Sequence, residues 1–278
     1  MSIPKQVGVL GGGRMGAGIA HSFLAAGASV TVVDVNDAAV TAARERIAQD
    51  VAGSFARGAE GSPEEWMDRL TVTTDPAAFA FHPLVIEAVP ESIELKISSF
   101  RTIAEHTPAA VIATNTSSLS VTDLAGIVDN DVIGLHFFNP VPASKLVEIV
   151  VADSTPPSLV SDAKSWVEGL GKTPIVVKDS PGFASSRLGV AIAIEAIRMV
   201  EEGVASAEDI DKAMVLGYKF PVGPLALTDI VGLDVRLGIA EYLESSLGAR
   251  FAPPQLMRDM VARGELGRKS GKGFYEYR

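Results

Sequence analysis

Two polar residues interrupt apolar runs in the middle of the chain, and their types suit proton transfer. His136 stands within the run GLHFF, and Glu148 stands within the later run LVEIV. A buried polar side chain destabilises a fold unless it has a partner, so the two are expected to pair if their strands are neighbours. Histidine is the usual general base near neutral pH, and a carboxylate on its other ring nitrogen would orient it and balance its charge. Taken alone, His136 would more often be a core histidine.

A glycine-rich loop near the N-terminus predicts a dinucleotide-binding site. Gly11, Gly13 and Gly16 have the spacing G-x-G-x-x-G between a strand pattern and a helix pattern. The first glycine of this motif permits a tight turn, the second lets the backbone approach a pyrophosphate, and the third lets helix and strand pack closely. Asp34 ends the second strand, where a carboxylate would bind the adenosine ribose. No arginine or lysine adjoins Asp34, which favours NAD over NADP, whereas the loop alone does not separate NAD from FAD.

Further polar residues follow the later strands, at the edge where an open α/β sheet binds its ligands. Glu91, Lys96, Ser117 and Asn139 have this placement. Each also has a simpler interpretation, because the first two could be solvated residues at a helix start, the serine a helix cap and the asparagine part of a turn. Their convergence on one edge favours a catalytic site. Glu87 has no histidine near it in sequence and is interpreted as a cofactor-binding or structural residue.

Apolar, β-branched runs alternate with helical patterns over the first two thirds of the chain. This alternation predicts an α/β domain with a doubly wound, mostly parallel sheet of the Rossmann type. The predicted strands are 7–11, 29–34, 70–74, 83–89, 110–116, 132–138, 146–151 and 173–179. The predicted helices between them are 14–27, 37–57, 92–106 and 156–170. The stretch GAEGSPEEW (58–66) is expected to form an exposed turn.

The pattern changes after Pro181–Gly182, where only helical spacing continues. Residues 185–203 and 206–217 each form a helical pattern that ends at a glycine. We therefore predict a dinucleotide-binding domain over residues 1–182. A smaller, all-helical domain is predicted over residues 183–278.

Composition limits the classes of partner. The formal net charge of −10 disfavours nucleic acid and anionic membranes, which are bound by basic surfaces. The absence of cysteine excludes disulfides, thiol nucleophiles and thiolate metal sites, and no metal site is predicted. No apolar run reaches the ~18–20 residues needed to span a bilayer. Together with an N-terminus that lacks a leader pattern, these features make a cytoplasmic protein the expectation.

Seven stretches resemble the L-3-hydroxyacyl-CoA dehydrogenase family, which includes bacterial 3-hydroxybutyryl-CoA dehydrogenases, and they cover essentially the whole chain. They are GGGRMGAGIA, VIEAVPESIELK, ATNTSSLSVTDLA, GLHFFNPVPASKLVEIV, SPGFASSRL, EDIDKAMVLGYKFPVGPLALTDIVGLD and GELGRKSGKGFYEY. The His-Phe-Phe-Asn-Pro and Gly-Arg-Lys-x-Gly-x-Gly-Phe-Tyr stretches are far more specific than the glycine loop. The resemblance implies NAD-dependent, reversible oxidation of an (S)-3-hydroxyacyl-CoA to a 3-oxoacyl-CoA.

The resemblance also implies a set of catalytic residues. His136 would be the general base on the 3-hydroxyl, with Glu148 orienting it, and Ser117 would hydrogen-bond the reacting oxygen. In the family pattern Pro-Gly-Phe-x-x-Asn-Arg, the asparagine lies near the substrate carbonyl, but Ser186 stands at that position here. Serine is shorter and lacks the two-ended hydrogen bonding of an amide, which puts the exact substrate in doubt rather than the reaction.

Cofactor and partner contacts are implied in the same way. Glu91, Lys96 and Asn139 would border the nicotinamide and its ribose, and Asp34 would bind the adenosine ribose. The helical domain would close over the acyl-CoA and form the interface of a homodimer.

Two other functions and one set of charges stay open at the level of sequence. The same chemistry could act on a 3-hydroxy acid without CoA, such as a sugar acid or carnitine, and a silent NAD(H)-binding sensor is a third possibility. The intact His–Glu pair argues against the sensor and against a dehydrogenase that uses a catalytic lysine.

Arg44, Arg46 and Arg57 are candidate contacts for CoA phosphates, and solvated helix charges are an equally good interpretation of each.

Overall fold

The computed structural model describes residues 3–277, which form two compact units that divide between Asp179 and Ser180. The sequence-based boundary after Gly182 falls a few residues later. The first unit is a sheet covered by helices, and the second unit is helical. The predicted fold class is thereby confirmed.

The first unit is built on one eight-stranded sheet with the order β3-β2-β1-β4-β5-β6-β7-β8. Its strands are β1 (Gln6–Leu10), β2 (Ser29–Val33), β3 (Leu70–Thr73), β4 (Leu84–Glu87), β5 (Val111–Thr114), β6 (Val132–Phe137), β7 (Leu146–Val151) and β8 (Thr173–Lys178). All neighbouring strands are parallel except β6 and β7, which are antiparallel. A short loop joins these two, whereas parallel strands need a longer crossover. Because β6 and β7 are antiparallel, residues that are close in sequence lie directly opposite one another, as His136 and Glu148 do.

Helices cover the sheet because their apolar faces pack against its continuously apolar strands. They are α1 (Arg14–Ala25), α2 (Asp37–Ala56), α3 (Pro63–Met67), α4 (Ile93–His106), α5 (Val121–Ala125) and α6 (Pro157–Gly169). Phe23 of α1, Ile47 of α2 and Val167 of α6 share one buried cluster with the strand residues Val9 and Leu135.

The prediction of a turn over residues 58–66 is wrong in its second half, where α3 begins. The Ser62 side chain accepts a hydrogen bond from the Glu65 backbone, and the Glu65 side chain accepts one from the Ser62 backbone. Pro63 fits the first helical position because its fixed φ suits a helix. The acidic, proline-containing stretch is therefore a capping box that starts a helix.

The second unit contains α7 (Ser185–Glu201), α8 (Ala207–Lys212), α9 (Pro224–Val231), α10 (Leu233–Leu247) and α11 (Gln255–Ala262). The predicted helix over 206–217 is α8 followed by a π-helical turn, Ala213–Gly217. Val190 and Ile194 of α7 pack against Ala240 and Leu243 of α10.

The C-terminal segment is tied to this helical unit by two buried aspartates. Asp229 accepts hydrogen bonds from the backbone N–H groups of Phe274 and Tyr275 and from the Tyr277 hydroxyl, at 2.9–3.0 Å. Asp211 accepts the Tyr275 hydroxyl at 2.8 Å. None of the helices within residues 3–277 combines the length and hydrophobicity that crossing a bilayer requires.

Candidate active site

The antiparallel pair β6–β7 places His136 directly opposite Glu148. The His136 Nδ1 atom lies 2.7 Å from Glu148 Oε2, and the two residues are 6% and 0% exposed. A carboxylate can only accept, so this contact puts the imidazole proton on Nδ1 and leaves Nε2 as the basic nitrogen. The Phe138 ring lies 4.5 Å from the imidazole ring, centre to centre. The contact expected from sequence is present, and it fixes both the tautomer and the orientation of the ring.

The carboxyl ends of four adjacent parallel strands bring most of the predicted site residues to one edge of the sheet. The glycine loop follows β1, Glu87 ends β4, Thr114 ends β5, and His136 lies near the end of β6. Strand register aligns these ends, because Leu10 pairs with Glu87 and Glu87 pairs with Thr114. An open α/β sheet binds its ligands at this edge, where the strand order reverses.

Lys96 lies beside this edge in a buried ionic group. It is 1% exposed, and its Nζ lies 2.9 and 3.0 Å from the two carboxylate oxygens of Glu87 and 3.3 Å from Glu91 Oε2. The simpler interpretation of Lys96 as a solvated helix-start residue is therefore wrong. Glu87 is fully buried and also accepts the Thr114 hydroxyl at 2.7 Å. These bonds make Glu87 and Lys96 a scaffold that holds the ends of β4 and β5.

Glu91 organises the loop after β5. Its Oε1 accepts hydrogen bonds from the hydroxyls of Thr116 (2.7 Å), Ser117 (3.3 Å) and Ser118 (3.0 Å), and from the backbone N–H groups of both serines. Partial burial raises the pKa of Glu91, but the positive charge of Lys96 and these hydrogen bonds outweigh it and lower the pKa overall. The side chain is therefore a carboxylate at neutral pH, and it fixes the loop in place.

Several members of this group were not singled out from sequence. Thr114, Thr116 and Ser118 hydrogen-bond to Glu87 or Glu91, as Ser117 does to Glu91. The sequence signal for them is the run of small polar residues TNTSS at a strand end. Ser117 and Ser118 do not cap the following helix, because the Ser120 side chain accepts the N-cap hydrogen bond there.

Asn115 connects the loop after β5 to the strand that carries the histidine. Its side-chain oxygen accepts a hydrogen bond of 2.9 Å from the backbone N–H of Phe137, the residue after His136. Asn139 follows β6 and is exposed. Ser186, the remaining predicted catalytic residue, belongs to the second unit, where it is half-buried in the first turn of α7.

The glycine loop has the geometry that a dinucleotide needs. Gly11 adopts a φ of 97°, which favours glycine, and a Cβ atom on Gly16 would lie 1.8 Å from the Gly11 carbonyl oxygen. A Cβ atom on Gly13 would meet nothing within 4 Å, so this glycine borders open space at the start of α1. A pyrophosphate fits there, against backbone N–H groups and the positive end of the helix dipole.

Asp34, the residue after β2, accepts a hydrogen bond from the backbone of this glycine loop. Its Oδ2 accepts the Gly12 N–H and its Oδ1 accepts the Val35 N–H, each at 2.7 Å. A carboxylate has further lone pairs, so Asp34 can also accept ribose hydroxyls. Among the candidate arginines, Arg46 donates to the Gly12 carbonyl at 3.3 Å and Arg57 to Ser54 at 3.4 Å. Residues 3–277 contain no cluster of three or more side chains suited to a metal ion.

The first unit thus has the construction of a dinucleotide-dependent dehydrogenase, and comparison with known proteins defines the family. The NAD-binding domain of 3-hydroxyacyl-CoA dehydrogenase matches residues 6–180, and the C-terminal domain of the same enzyme matches residues 182–277.

Three relatives illustrate the match. The probable 3-hydroxybutyryl-CoA dehydrogenase of Bacillus subtilis is 40% identical over 98% of this chain and 97% of its own length. The mitochondrial hydroxyacyl-coenzyme A dehydrogenase of Sus scrofa is 38% identical over 99% of this chain and 91% of its own length. The crystal structure of the (S)-3-hydroxybutyryl-CoA dehydrogenase of Ralstonia eutropha superimposes with a TM-score of 0.94 at 37% identity, covering 99% of this chain and all of that chain.

The chain belongs to the 3-hydroxyacyl-CoA dehydrogenase family. Its activity is that of an NAD-dependent 3-hydroxyacyl-CoA dehydrogenase, and acyl-CoA and NAD are its substrate and cofactor.

Proposed function

We propose that this enzyme oxidises the (S)-3-hydroxyl of an acyl-CoA with His136 as the general base and Glu148 as the residue that orients it. The observation that carries the proposal is the buried 2.7 Å contact between His136 Nδ1 and Glu148 Oε2. In the forward direction Nε2 takes the hydroxyl proton, and the charged imidazolium that forms is balanced by the adjacent carboxylate. In the reverse direction the same nitrogen returns the proton to the 3-oxo oxygen.

The glycine loop and Asp34 form the proposed binding site for the cofactor. Backbone N–H groups at the start of α1, beside Gly13, would hold the pyrophosphate, and Asp34 would accept hydroxyls of the adenosine ribose. NAD, when bound, supplies the acceptor for the hydrogen and electron pair that leave carbon 3 of the substrate. The absence of a basic residue next to Asp34 supports NAD rather than NADP.

Ser117 is the proposed donor to the reacting oxygen. Its backbone N–H is fixed by Glu91 at 2.9 Å, whereas its hydroxyl lies 3.3 Å from the same oxygen, the longest bond in that group. A hydroxyl rotates easily, so it can turn from Glu91 to a substrate oxygen while the loop stays in place. Ser186 is proposed as a second polar contact for the substrate.

Glu91, Lys96 and Asn139 are proposed to border the nicotinamide and its ribose. Lys96 is buried between two carboxylates, so it would also fix the position of the Glu91 carboxylate. Asn139 has an exposed amide next to the strand that carries His136.

We further propose that the helical domain, predicted over residues 183–278, binds substrate and forms a homodimer. Support comes from apolar side chains exposed on it, including Leu188 of α7, Ile230 of α9 and Val235 of α10 at 63%, 47% and 44%. Several large apolar side chains exposed on one domain favour an interaction surface there. The cytoplasmic location stays a prediction from composition.

The test of these roles is the oxidation of NADH with acetoacetyl-CoA by the native enzyme and by His136→Gln. Glutamine keeps the size and polarity of the site but cannot take up a proton. We expect kcat to fall by ~10²–10⁴-fold, while NADH binding, measured by fluorescence titration, is unchanged. Glu148→Gln is expected to give a smaller loss, because the base remains while its charge balance is removed.

The matched control is His106→Gln, in the last turn of α4 at the opposite edge of the sheet, which should retain native activity. Equal losses in both histidine variants would contradict the assigned role. Free acetoacetate serves as the second substrate: reduction as fast as that of the thioester would favour a 3-hydroxy acid without CoA. Tight NADH binding with no turnover on either compound would favour the sensor.

A further inference from the structure

A side-chain hydrogen bond joins the strands β5 and β6 beyond the point where their backbone pairing ends. The paired register of these strands stops at Thr114 and Gly134, three residues before Phe137. The Phe137 N–H lies past this ladder, and the side-chain oxygen of Asn115 accepts its hydrogen bond at 2.9 Å. The backbone N–H of Asn115 donates to the Glu87 carbonyl at 2.9 Å, which fixes Asn115 at the end of its own strand. Asn115 therefore extends the connection between β5 and β6 to the end that carries the histidine.

The position of this bond makes its loss costly for the end of β6. Phe137 is 2% exposed, and a buried N–H without an acceptor is destabilising. An N–H group can only donate, so the amide atom that it meets is the oxygen, and the orientation of the Asn115 amide is thereby fixed. If the acceptor is removed, we expect the end of β6 to move until the Phe137 N–H finds another partner.

The two segments that this bond joins carry both groups proposed to act on the substrate oxygen. Ser117 follows Asn115 by two residues, and His136 precedes Phe137 by one. The hydrogen bond thus connects the two segments within two residues of each reacting group.

Each reacting group also has an anchor of its own. Glu91 accepts the Ser117 N–H at 2.9 Å, and Glu148 lies 2.7 Å from the His136 ring. These two anchors orient the groups separately, and neither joins one group to the other. Both groups must lie within hydrogen-bond reach of the same substrate oxygen, and a displacement of about 1 Å can lower a rate by ~10²-fold. A contact that joins the two segments is therefore expected to affect the rate.

We propose that Asn115 is a positioning residue, which holds the strand carrying His136 at the distance from Ser117 that the reaction requires. It acts through the backbone of Phe137 rather than by contact with the reacting atoms. This inference rests on the proposed function and adds to it a residue that sets the geometry of the base.

The same two strands supply a matched control at their other ends. Asn130 precedes β6, and its Nδ2 donates to the carbonyls of Thr107, Pro108 and Ala110, ahead of β5, at 2.8–3.2 Å. Asn130 and Asn115 are both half-buried. Each asparagine joins β5 to β6, but Asn130 does so at the amino ends of the strands, away from the proposed active site.

The test measures kcat and KM for acetoacetyl-CoA, and the Kd for NADH, in three variants. Asn115→Leu keeps the size of the side chain but has no acceptor, and we expect kcat to fall by about 10- to 100-fold while the Kd for NADH is unchanged. Asn115→Asp retains an oxygen at the acceptor position, so it should keep most of the native kcat at the pH where it is most active. Asn130→Leu should keep the native kcat.

The sharpest measurement combines Asn115→Leu with His136→Gln. A residue that acts through His136 has nothing to position once the base is absent, so the leucine substitution should lower kcat by less than about twofold in that background. Circular dichroism melts establish that each variant folds. Asn115→Ser, whose side chain is too short to replace the acceptor, serves if the leucine variant does not fold.

Three outcomes overturn the proposal. The first is an equal loss from Asn115→Leu in the native and His136→Gln backgrounds, which shows that Asn115 acts independently of the base. The second is an Asn115→Asp variant as impaired as Asn115→Leu at every pH, with weaker NADH binding in both, which assigns the amide nitrogen to the cofactor. The third is an equal loss of kcat in Asn130→Leu, which assigns the effect to the stability of the strand pair. Failure of the proposed function is distinguishable, because it appears as native activity in His136→Gln alone.

Discussion

Lys96 in the first unit and Arg236 in the second are both cations with almost no exposed surface, yet their surroundings are opposite. Lys96 lies within 3.3 Å of two carboxylates, one fully buried, and all three groups belong to the carboxyl edge of the sheet. Arg236 has a glycine backbone beneath it and no carboxylate partner among the described residues.

The difference separates a buried charge that the protein neutralises from one that it leaves without a counter-charge. A buried charge that the protein neutralises itself holds the surrounding chain in one arrangement, and breaking the pair is costly. A buried charge without a counter-charge lowers the stability of the fold, because its desolvation is not offset. Removing each cation should therefore change stability in opposite directions.

The largest effect is expected for Lys96→Met. The substitution leaves the Glu87 carboxylate buried without a counter-charge, so the free energy of unfolding should fall by ~3–5 kcal/mol. Both tryptophans of the chain, Trp66 and Trp166, lie in the first unit, so urea unfolding followed by tryptophan fluorescence reports on this unit. Lys164→Met, on the exposed side of α6, is the control and should change stability by less than ~0.5 kcal/mol. Equal free energies of unfolding of the two variants would show that Lys96 does not stabilise the ends of β4 and β5.

A smaller effect of opposite sign is expected for Arg236→Met without substrate. Replacing an unpaired buried cation with an apolar side chain of similar length should raise the free energy of unfolding by ~1–3 kcal/mol. All four tyrosines lie in the second unit, so near-ultraviolet circular dichroism of tyrosine follows its unfolding separately. A loss of stability would show that the guanidinium is satisfied inside the protein and would end the contrast with Lys96.

The smallest effect concerns Tyr277, whose hydroxyl is one of the uncharged donors that stabilise the buried Asp229 carboxylate by hydrogen bonds. Burial and the hydrogen bond to Asp229 raise the pKa of Tyr277 to about 12. Since the ordinary value is about 10, the hydroxyl contributes stability below pH ~10 that is lost as the pH rises through ~12. Tyr277→Phe should flatten the fall in stability over that interval, measured by urea unfolding at a series of pH values. If the free energy of unfolding depends on pH equally in both proteins, Tyr277 does not contribute to that dependence.

Sequence reasoning was strongest where the signal is local. The eight strands and the glycine loop follow from hydrophobic runs and residue spacing, because a strand buried on both faces must be continuously apolar. The sequence predicts that His136 and Glu148 pair if their strands are neighbours, because each interrupts such an apolar run, and the structure supplies that condition in the antiparallel pair β6–β7. The helix at Pro63 was missed because acidic and proline residues occur both in turns and in the first turn of a helix.

The sequence by itself determined the fold class, the dinucleotide loop, the residue proposed as the general base and the carboxylate proposed to orient it. Only the tertiary structure decided which charges are buried and what neutralises them. Lys96 looks like any solvated lysine until β4 and β5 place two carboxylates around it, and Arg236 looks like any helix arginine until Gly189 makes room for its guanidinium. The physical reason is that the energy of a charge depends on the solvent and partners left around it, and packing between distant segments sets both.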